Sequence, residues 1–356
     1  MRTNLKMMVA GLVMSNLLAG QIATTIVGTA TAAVPLVYPN CTTPNFAVPA
    51  KPKDTRRFVH GDQVKESGGR KEMYVKDAAS VVYDGVTTWA LTAGSEILRM
   101  DMVTGKVLES HYVPDAVAFL LDGDTIWVGT NKAQLHRYSR STRKIASTVT
   151  LGTGSIIKIA TDGTNIVAVS NGLERYDSTR WYKGMMTVVL ASGMPVTLGL
   201  SLSTSMSEPE PVSFTLEGGF AWIVLADGSI VQQSIVPNGM GPQKHVGDAD
   251  SGRIVDAASD GASLWMVNEG TGNVSRFDYQ SKTLVSKVAG APGAKKLLLD
   301  GTSLWVATVD RVVQFHGTDS RKLGELQIGT KPTALLFDGM KIWVADRYSA
   351  MLKQVQ

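Results

Sequence analysis

The sequence predicts an all-β fold, a seven-bladed β-propeller of four-stranded blades closed into a ring by an N-terminal strand. Three regularities carry that prediction. An acidic residue followed by Gly recurs seven times, beginning at Asp84, Asp122, Asp162, Glu217, Asp260, Asp300 and Asp338. Five positions after the acidic residue stands Trp89, Trp127, Val167, Trp222, Trp265, Trp305 or Trp343, so six of the chain's 7 tryptophans share one register. The spacings between copies are 38, 40, 55, 43, 40 and 38 residues, close to the period of one four-stranded blade.

Strands rather than helices flank each pair. Apolar runs such as Val117 to Leu121 precede it, and runs with high β propensity such as Ile126-Trp127-Val128 follow it. Asp-Gly between two such runs signals a hairpin, because Gly accepts positive φ without steric cost. After Asp338 only 18 residues remain, enough for two more strands. Tyr74-Val75 precedes Asp84 at the offsets by which Tyr112-Val113 precedes Asp122. Residues 70–76 are therefore expected to supply the missing outer strand of the last blade, which would remove the open edges of the ring.

Ahead of the propeller, assigned to 70–356, the chain divides into an export signal at 1–32 and a Pro-rich extended linker at 33–69. Arg2 and Lys6 begin the signal, Met7 to Ala19 forms its apolar stretch, and Ala30-Thr31-Ala32 offers the small residues of a cleavage site. An uncleaved anchor is the alternative, since no charge occurs from Met7 to Ala50. With the leader removed, no transmembrane span is expected. Cys41 is the only cysteine, so no internal disulfide supports the fold. The formal net charge of +4 falls to +2 once Arg2 and Lys6 are removed. That is too small to point to nucleic acid.

The stretch Leu304-Trp305-Val306-Ala307, then Val312-Val313-Gln314-Phe315, Gly329-Thr330-Lys331-Pro332 and Phe337-Asp338-Gly339 resembles the YVTN-type propeller repeat of bacterial envelope and archaeal surface proteins. The resemblance spans about residues 70–356. It implies the fold and an extracytoplasmic, periplasmic setting, and it brings no shared catalytic motif. The 55-residue spacing after Asp162 departs from it by about 15 residues.

Features present in every blade specify the fold, and features confined to one or two blades are candidates for function. The tryptophans belong to the first class, as wedges between blades whose N–H finds a carbonyl. So does a third-strand column of Arg99, Arg137, Arg175, Gln233, Arg276, Gln314 and Lys353, long stems packed between blades. Four residues before each pair come Ser80, Ala118, Lys158, Ser213, Asp256, Lys296 and Ala334. This column should line the central channel. Its charged members Lys158, Asp256 and Lys296 could bind an anion or polar ligand, or could simply pair in a solvated channel. Asn268, Glu269, Asp310, Asp346, Arg347 and Tyr348 fall in loops between second and third strands, on the face where inner strands begin. The Ser/Thr/Pro-rich stretch 191–211 reads as an insertion that reaches a partner or is merely solvated. His245, Asp248 and Asp250 carry metal-capable side chains without a tight ligand motif.

No nucleophile elbow, phosphate loop or zinc-binding pair is present, and no catalytic residue, cofactor or metal is assigned. The expected function is a non-enzymatic binding or scaffold protein of the cell envelope. It would recognise a protein partner, or a small ligand, through its loop face, central channel or the 191–211 insertion. The alternative is a periplasmic propeller enzyme, a lyase, hydrolase or quinone-dependent dehydrogenase, with its site at the channel mouth.

Overall fold

A computed structural model describes residues 72–355, apart from 173, 176–180, 191, 201, 204–208, 237–238 and 329–330. The leader, the linker and Cys41 lie outside the described residues. Seven antiparallel four-stranded sheets follow one another as a seven-bladed β-propeller. The first blade is β2 (Ala78–Tyr83), β3 (Thr88–Thr92), β4 (Glu96–Met100) and β5 (Val107–Tyr112). The second is β6 (Ala116–Asp122), β7 (Thr125–Thr130), β8 (Gln134–Ser139) and β9 (Lys144–Thr150). The third is β10 (Ile156–Thr161), β11 (Ile166–Ser170), β14 (Met185–Val189) and β15 (Pro195–Gly199). Blades four to six are β17–β20 (Pro211–Glu217, Phe220–Leu225, Ser229–Val236, Gly239–Asp248), β21–β24 (Ile254–Ser259, Ser263–Asn268, Asn273–Asp278, Thr283–Ala289) and β25–β28 (Lys296–Leu299, Ser303–Ala307, Arg311–His316, Lys322–Gln327). The seventh combines β29 (Pro332–Phe337), β30 (Ile342–Asp346) and β31 (Met351–Gln354) with β1 (Glu72–Tyr74). β1 pairs Glu72, Met73 and Tyr74 with Lys353, Leu352 and Met351, so the N-terminal strand closes the ring as expected.

Ring closure is also visible in the core. Each interface between neighbouring blades holds one apolar cluster. The cluster of Val81, Ala90 and Met100 with Leu336, Trp343 and Leu352 joins the last blade to the first. Each repeat thus buries its apolar faces only against its neighbours.

The five-residue offset has a specific chemical cause. In Asp84, Asp260, Asp300 and Asp338, carboxylate Oδ2 accepts the indole N–H of Trp89, Trp265, Trp305 and Trp343 at 2.7 Å, and Asp122 accepts that of Trp127 at 3.3 Å. In four of these copies Oδ1 accepts the two backbone N–H groups of the turn, as Asp260 does from Ala262 and Ser263 at 2.8 and 2.6 Å. One carboxylate therefore closes the turn and fixes the ring. The expected carbonyl acceptor is found only in the fourth blade, where Trp222 donates to the Glu217 carbonyl at 3.2 Å.

The third-strand column holds at six places and is corrected at one: Gln233 and Lys353 lie in the third strands β19 and β31, whereas Arg175 does not lie in a blade. Arg99, Arg137, Arg276 and Gln314 do pair across from their tryptophans. Trp222 faces Gln232 rather than Gln233, and Trp343 faces Gln354 rather than Lys353. In the third blade Val167 faces Val188, because Arg175 lies outside the blade altogether.

The third blade is where the extra residues go. Its second and third strands are separated by residues 171–184, whereas the other blades use three or four residues there. β13 (Trp181–Tyr182) leads into β14, and β16 (Leu202–Ser203) follows β15. These segments pair with each other, and β12 (Glu174–Arg175) adds a third strand. The third–fourth hairpin thus continues past the end of the blade as a small second sheet. The extra length therefore lies on both sides of that hairpin, and the stretch 191–211 is not one insertion, since it contains β15.

Candidate functional site

First and second strands meet at short turns, so each blade has a turn end and a loop end. At the loop end the residue after the second strand is tied to the start of the inner strand. Ala93, Asn131, Asn171, Glu269 and Arg347 N–H groups donate to the carbonyls of Asp77, Asp115, Ser155, Arg253 and Lys331 at 2.9–3.1 Å. Glu269, Asp310, Arg347 and Tyr348 lie in loops that share a face with the inner-strand starts, whereas Asn268 and Asp346, expected in those loops, are the last residues of the second strands β22 and β30.

Most of these side chains are engaged within the loops. Asn268 is buried, and its Oδ1 accepts the Gly270 and Thr271 N–H groups at 2.9 and 3.0 Å, which shapes the loop. Glu269 bridges Arg253, at 3.3 Å, and Lys295. The hydrogen bond from Lys295, with the charges of Lys295 and Arg253, outweighs burial and holds its carboxyl below the ordinary range. Asp310 accepts two bonds from the Arg311 guanidinium at 2.9 and 3.0 Å. Asp346 is buried beside Lys353 at 3.0 Å and Ser349 at 2.9 Å. Burial opposes its charge, but these bonds outweigh it and its carboxyl titrates low. Arg347 reaches Asp77 at 3.3 Å, across the closure between the last and first blades. Tyr348 is the most solvent-facing of the six, at 78% exposure, and Arg347 beside it is also exposed.

The channel residues are brought together across three blades. Lys158 Nζ donates to Ser213 Oγ at 3.4 Å and to the Ala257 carbonyl at 3.2 Å, and lies 5.9 Å from the Phe214 ring centroid. Ser213 Oγ also lies 3.4 Å from Asp256 Oδ1 and 3.2 Å from the Ala257 carbonyl. Asp256 accepts the Ala257 N–H at 3.0 Å and the Leu297 N–H at 3.2 Å. Lys296 Nζ stands 3.8 Å from its Oδ2. A lysine of the third blade thus reaches the fifth. Two ammonium groups and one carboxylate, a net charge of +1, stand on one side of the channel, while Ser80, Ala118 and Ala334 line the other inner strands with small side chains. Such a wall suits an anion better than a cation. Ser213 is the added member, legible in the sequence as the small polar residue of the same column.

The metal-capable trio separates. His245 Nε2 pairs with Asp248 at 3.0 Å. Asp250 instead takes bonds from Thr271, Asn273 and Lys287 at 3.0, 2.5 and 3.1 Å, and so ties the end of the fourth blade to the fifth. Among the described residues no group of three or more His, Cys, Asp and Glu side chains is placed to hold an ion. His111 and His136 lie in a fourth and a third strand. His111 is buried between Glu109, at 3.1 Å, and the Tyr138 hydroxyl, at 3.3 Å, and stacks on Trp89.

The fold and these two polar regions define a β-propeller with a braced loop face and a weakly cationic channel. The chain is similar in structure to the computationally designed Ika8 protein, with a TM-score of 0.56 and 10% sequence identity over 80% of this chain and 99% of that chain. At that identity the likeness bears on the fold alone. No protein-family description matches the chain, and no curated protein does.

Proposed function

We propose that the protein is an exported, non-enzymatic propeller of the YVTN-repeat kind, which holds a protein partner of the cell envelope on its loop face. The carrying observation is the third blade. Its third–fourth hairpin extends past the loop end, so this face carries a second small sheet beyond the end of the blade. The other loops are short and braced by Asn268, Glu269, Asp310 and Asp346, which favours binding without an ordering cost. Tyr348 and Arg253 point outward there, and aromatic and Arg side chains anchor many protein interfaces. The leader features around Arg2, Lys6 and Ala32 support a periplasmic or otherwise extracytoplasmic setting. The channel wall of Lys158, Asp256 and Lys296 would be a second, small-anion contact.

A photocrosslinking side chain at position 348, with position 340 as control, tests this. Met340 is similarly exposed but sits in a first–second turn, at the opposite end of the same blade. Discrete adducts in intact cells from 348 and not from 340 are expected. Adducts from neither position, or equally from both, would refute a loop-face partner.

A further inference from the structure

The end of the second strand has the same job in four blades. Thr92, Thr130, Asn268 and Asp346 each pair with the first residue of their inner strand. Each uses its side-chain oxygen to accept N–H groups of the following loop. Thr92 takes the Glu96 N–H at 3.2 Å, Thr130 those of Lys132 and Gln134 at 3.2 and 3.1 Å, and Asp346 that of Tyr348 at 3.1 Å. Ser170 occupies the same position in the third blade, opposite Ile156. Its side chain is 0% exposed, yet Oγ has no hydrogen-bond partner.

A second buried polar group without a partner belongs to the residue two positions before Met185, which pairs with Ser170. Lys183 is 1% exposed and its Nζ makes no hydrogen bond. It sits at the junction of the two sheets, where its N–H donates to the Leu200 carbonyl at 3.0 Å and the Leu200 N–H returns to the Gly184 carbonyl at 2.8 Å. A Cβ on Gly184 would lie 2.6 Å from the Ser170 carbonyl oxygen, so Lys183 is rooted one residue from the strand end that carries Ser170. An ammonium shut away from water without an acceptor costs several kcal/mol. In the second blade Lys132 precedes the third strand by the same two residues, but there it is exposed and pairs with Asp115 at 2.6 Å.

We propose that the junction of the third blade binds a small carboxylate, with Lys183 Nζ as its charged anchor and Ser170 Oγ as a second donor. A carboxylate neutralises the ammonium and offers a further oxygen to the hydroxyl, which a neutral ligand or a water does not do together. The sheet of β12, β13 and β16 forms the extension beside the site, and its two backbone bonds at Leu200 are the ones that must open for entry. The site is separate from the channel lysines and stands whether or not a partner docks on the loop face.

Thermal unfolding of the full chain in acetate, succinate and glutamate, with chloride at matched ionic strength as control, tests the site. At least one carboxylate should raise Tm in proportion to the logarithm of its concentration. Lys183→Met should abolish that response and, without ligand, should be at least as stable as the parent, since it removes a buried charge. Ser170→Ala should weaken the apparent affinity about tenfold, as expected for one lost hydrogen bond. A parent Tm that no carboxylate raises above the chloride control would overturn the proposal. So would an unchanged response in Lys183→Met, or a less stable Lys183→Met in ligand-free buffer.

Discussion

Replacing Asp260 with alanine should cost about 4 kcal/mol of stability, because three donors lose one acceptor group at once. Asp260 is 2% exposed, and its carboxylate accepts the Ala262 and Ser263 N–H groups at 2.8 and 2.6 Å and the Trp265 indole N–H at 2.7 Å. Trp265 is fully buried, so water cannot replace the bond without entering the blade interface. Each buried donor left unpaired costs about 1–3 kcal/mol, and the turn donor nearest the surface recovers part of that from water. Asp260→Asn separates the contributions. The amide oxygen can still accept the two turn N–H groups, but its NH2 then faces the indole N–H, so only the Trp265 bond is lost, at about 1–2 kcal/mol. Urea unfolding, checked for reversibility, reads both. A loss under 1 kcal/mol in Asp260→Ala, or equal losses in the two variants, would refute the view that one carboxylate serves turn and tryptophan together.

Glu109→Gln should destabilise the protein at neutral pH by about 1–2 kcal/mol after allowing for solvent screening. Burial opposes the Glu109 charge, but hydrogen bonds from Arg99, His111 and Arg140 hold its pKa at about 2, against an ordinary 4.5. Because the folded pKa is depressed, the contribution is present above pH 4.5 and is lost as pH falls toward 2. Parent and variant stabilities should converge over that window, and a constant gap would exclude the carboxylate as the cause. Gly199→Ala should lower Tm and strip the third-blade extension of protection in hydrogen exchange, since the added Cβ would lie 2.1 Å from the Tyr182 ring. Protection unchanged at 182 and 202 would show that the ring moves freely. Val167→Trp, although it restores the repeat's own residue, should destabilise by about 1–3 kcal/mol through overpacking; a gain in the urea midpoint would contradict this.

The blade count, the closing strand and the wedge tryptophans were legible because each recurs, and a recurring offset fixes register without knowledge of contacts. Asp84 to Trp89 reads the same as Asp300 to Trp305. The acceptor was misread as a carbonyl because a five-residue spacing does not say which oxygen the indole meets. The charged channel residues Lys158, Asp256 and Lys296 were placed together because they share a column, although the bonds through Ser213 and the Ala257 carbonyl depend on blade curvature that no column records. The third blade failed for a physical reason. Arg175-Tyr176 imitates the Arg-Tyr of Arg137-Tyr138, so a local match displaced the true third strand, Met185–Val189. That shift hid Lys183, whose burial depends on where the hairpin begins.

Asn165 shows why the third blade could depart from the repeat without losing its turn. Asp162 Oδ1 accepts the Thr164 and Asn165 N–H groups at 2.8 and 2.6 Å, as in the other blades. Its Oδ2, which elsewhere takes an indole N–H, takes the Asn165 side-chain amide at 2.9 Å. The carboxylate is thus as fully used as in a tryptophan blade, and Val167 is free to pack against Val188 in an apolar interface with Phe214 and Leu216. The long polar partner that faces tryptophan in other blades has no role opposite Val167. Released from that role, the third strand can be fed from a long connection instead of a tight loop. The same substitution that removed the tryptophan therefore accompanies the hairpin extension, and with it the junction at Ser170 and Lys183. It follows that Asn165→Ala should destabilise the turn of the third blade, while Asn165→Asp should do so more strongly at neutral pH, where both carboxylates are ionised, by setting a second carboxylate against Asp162. Equal urea midpoints for parent and Asn165→Ala would sever the link between the lost tryptophan and its amide replacement.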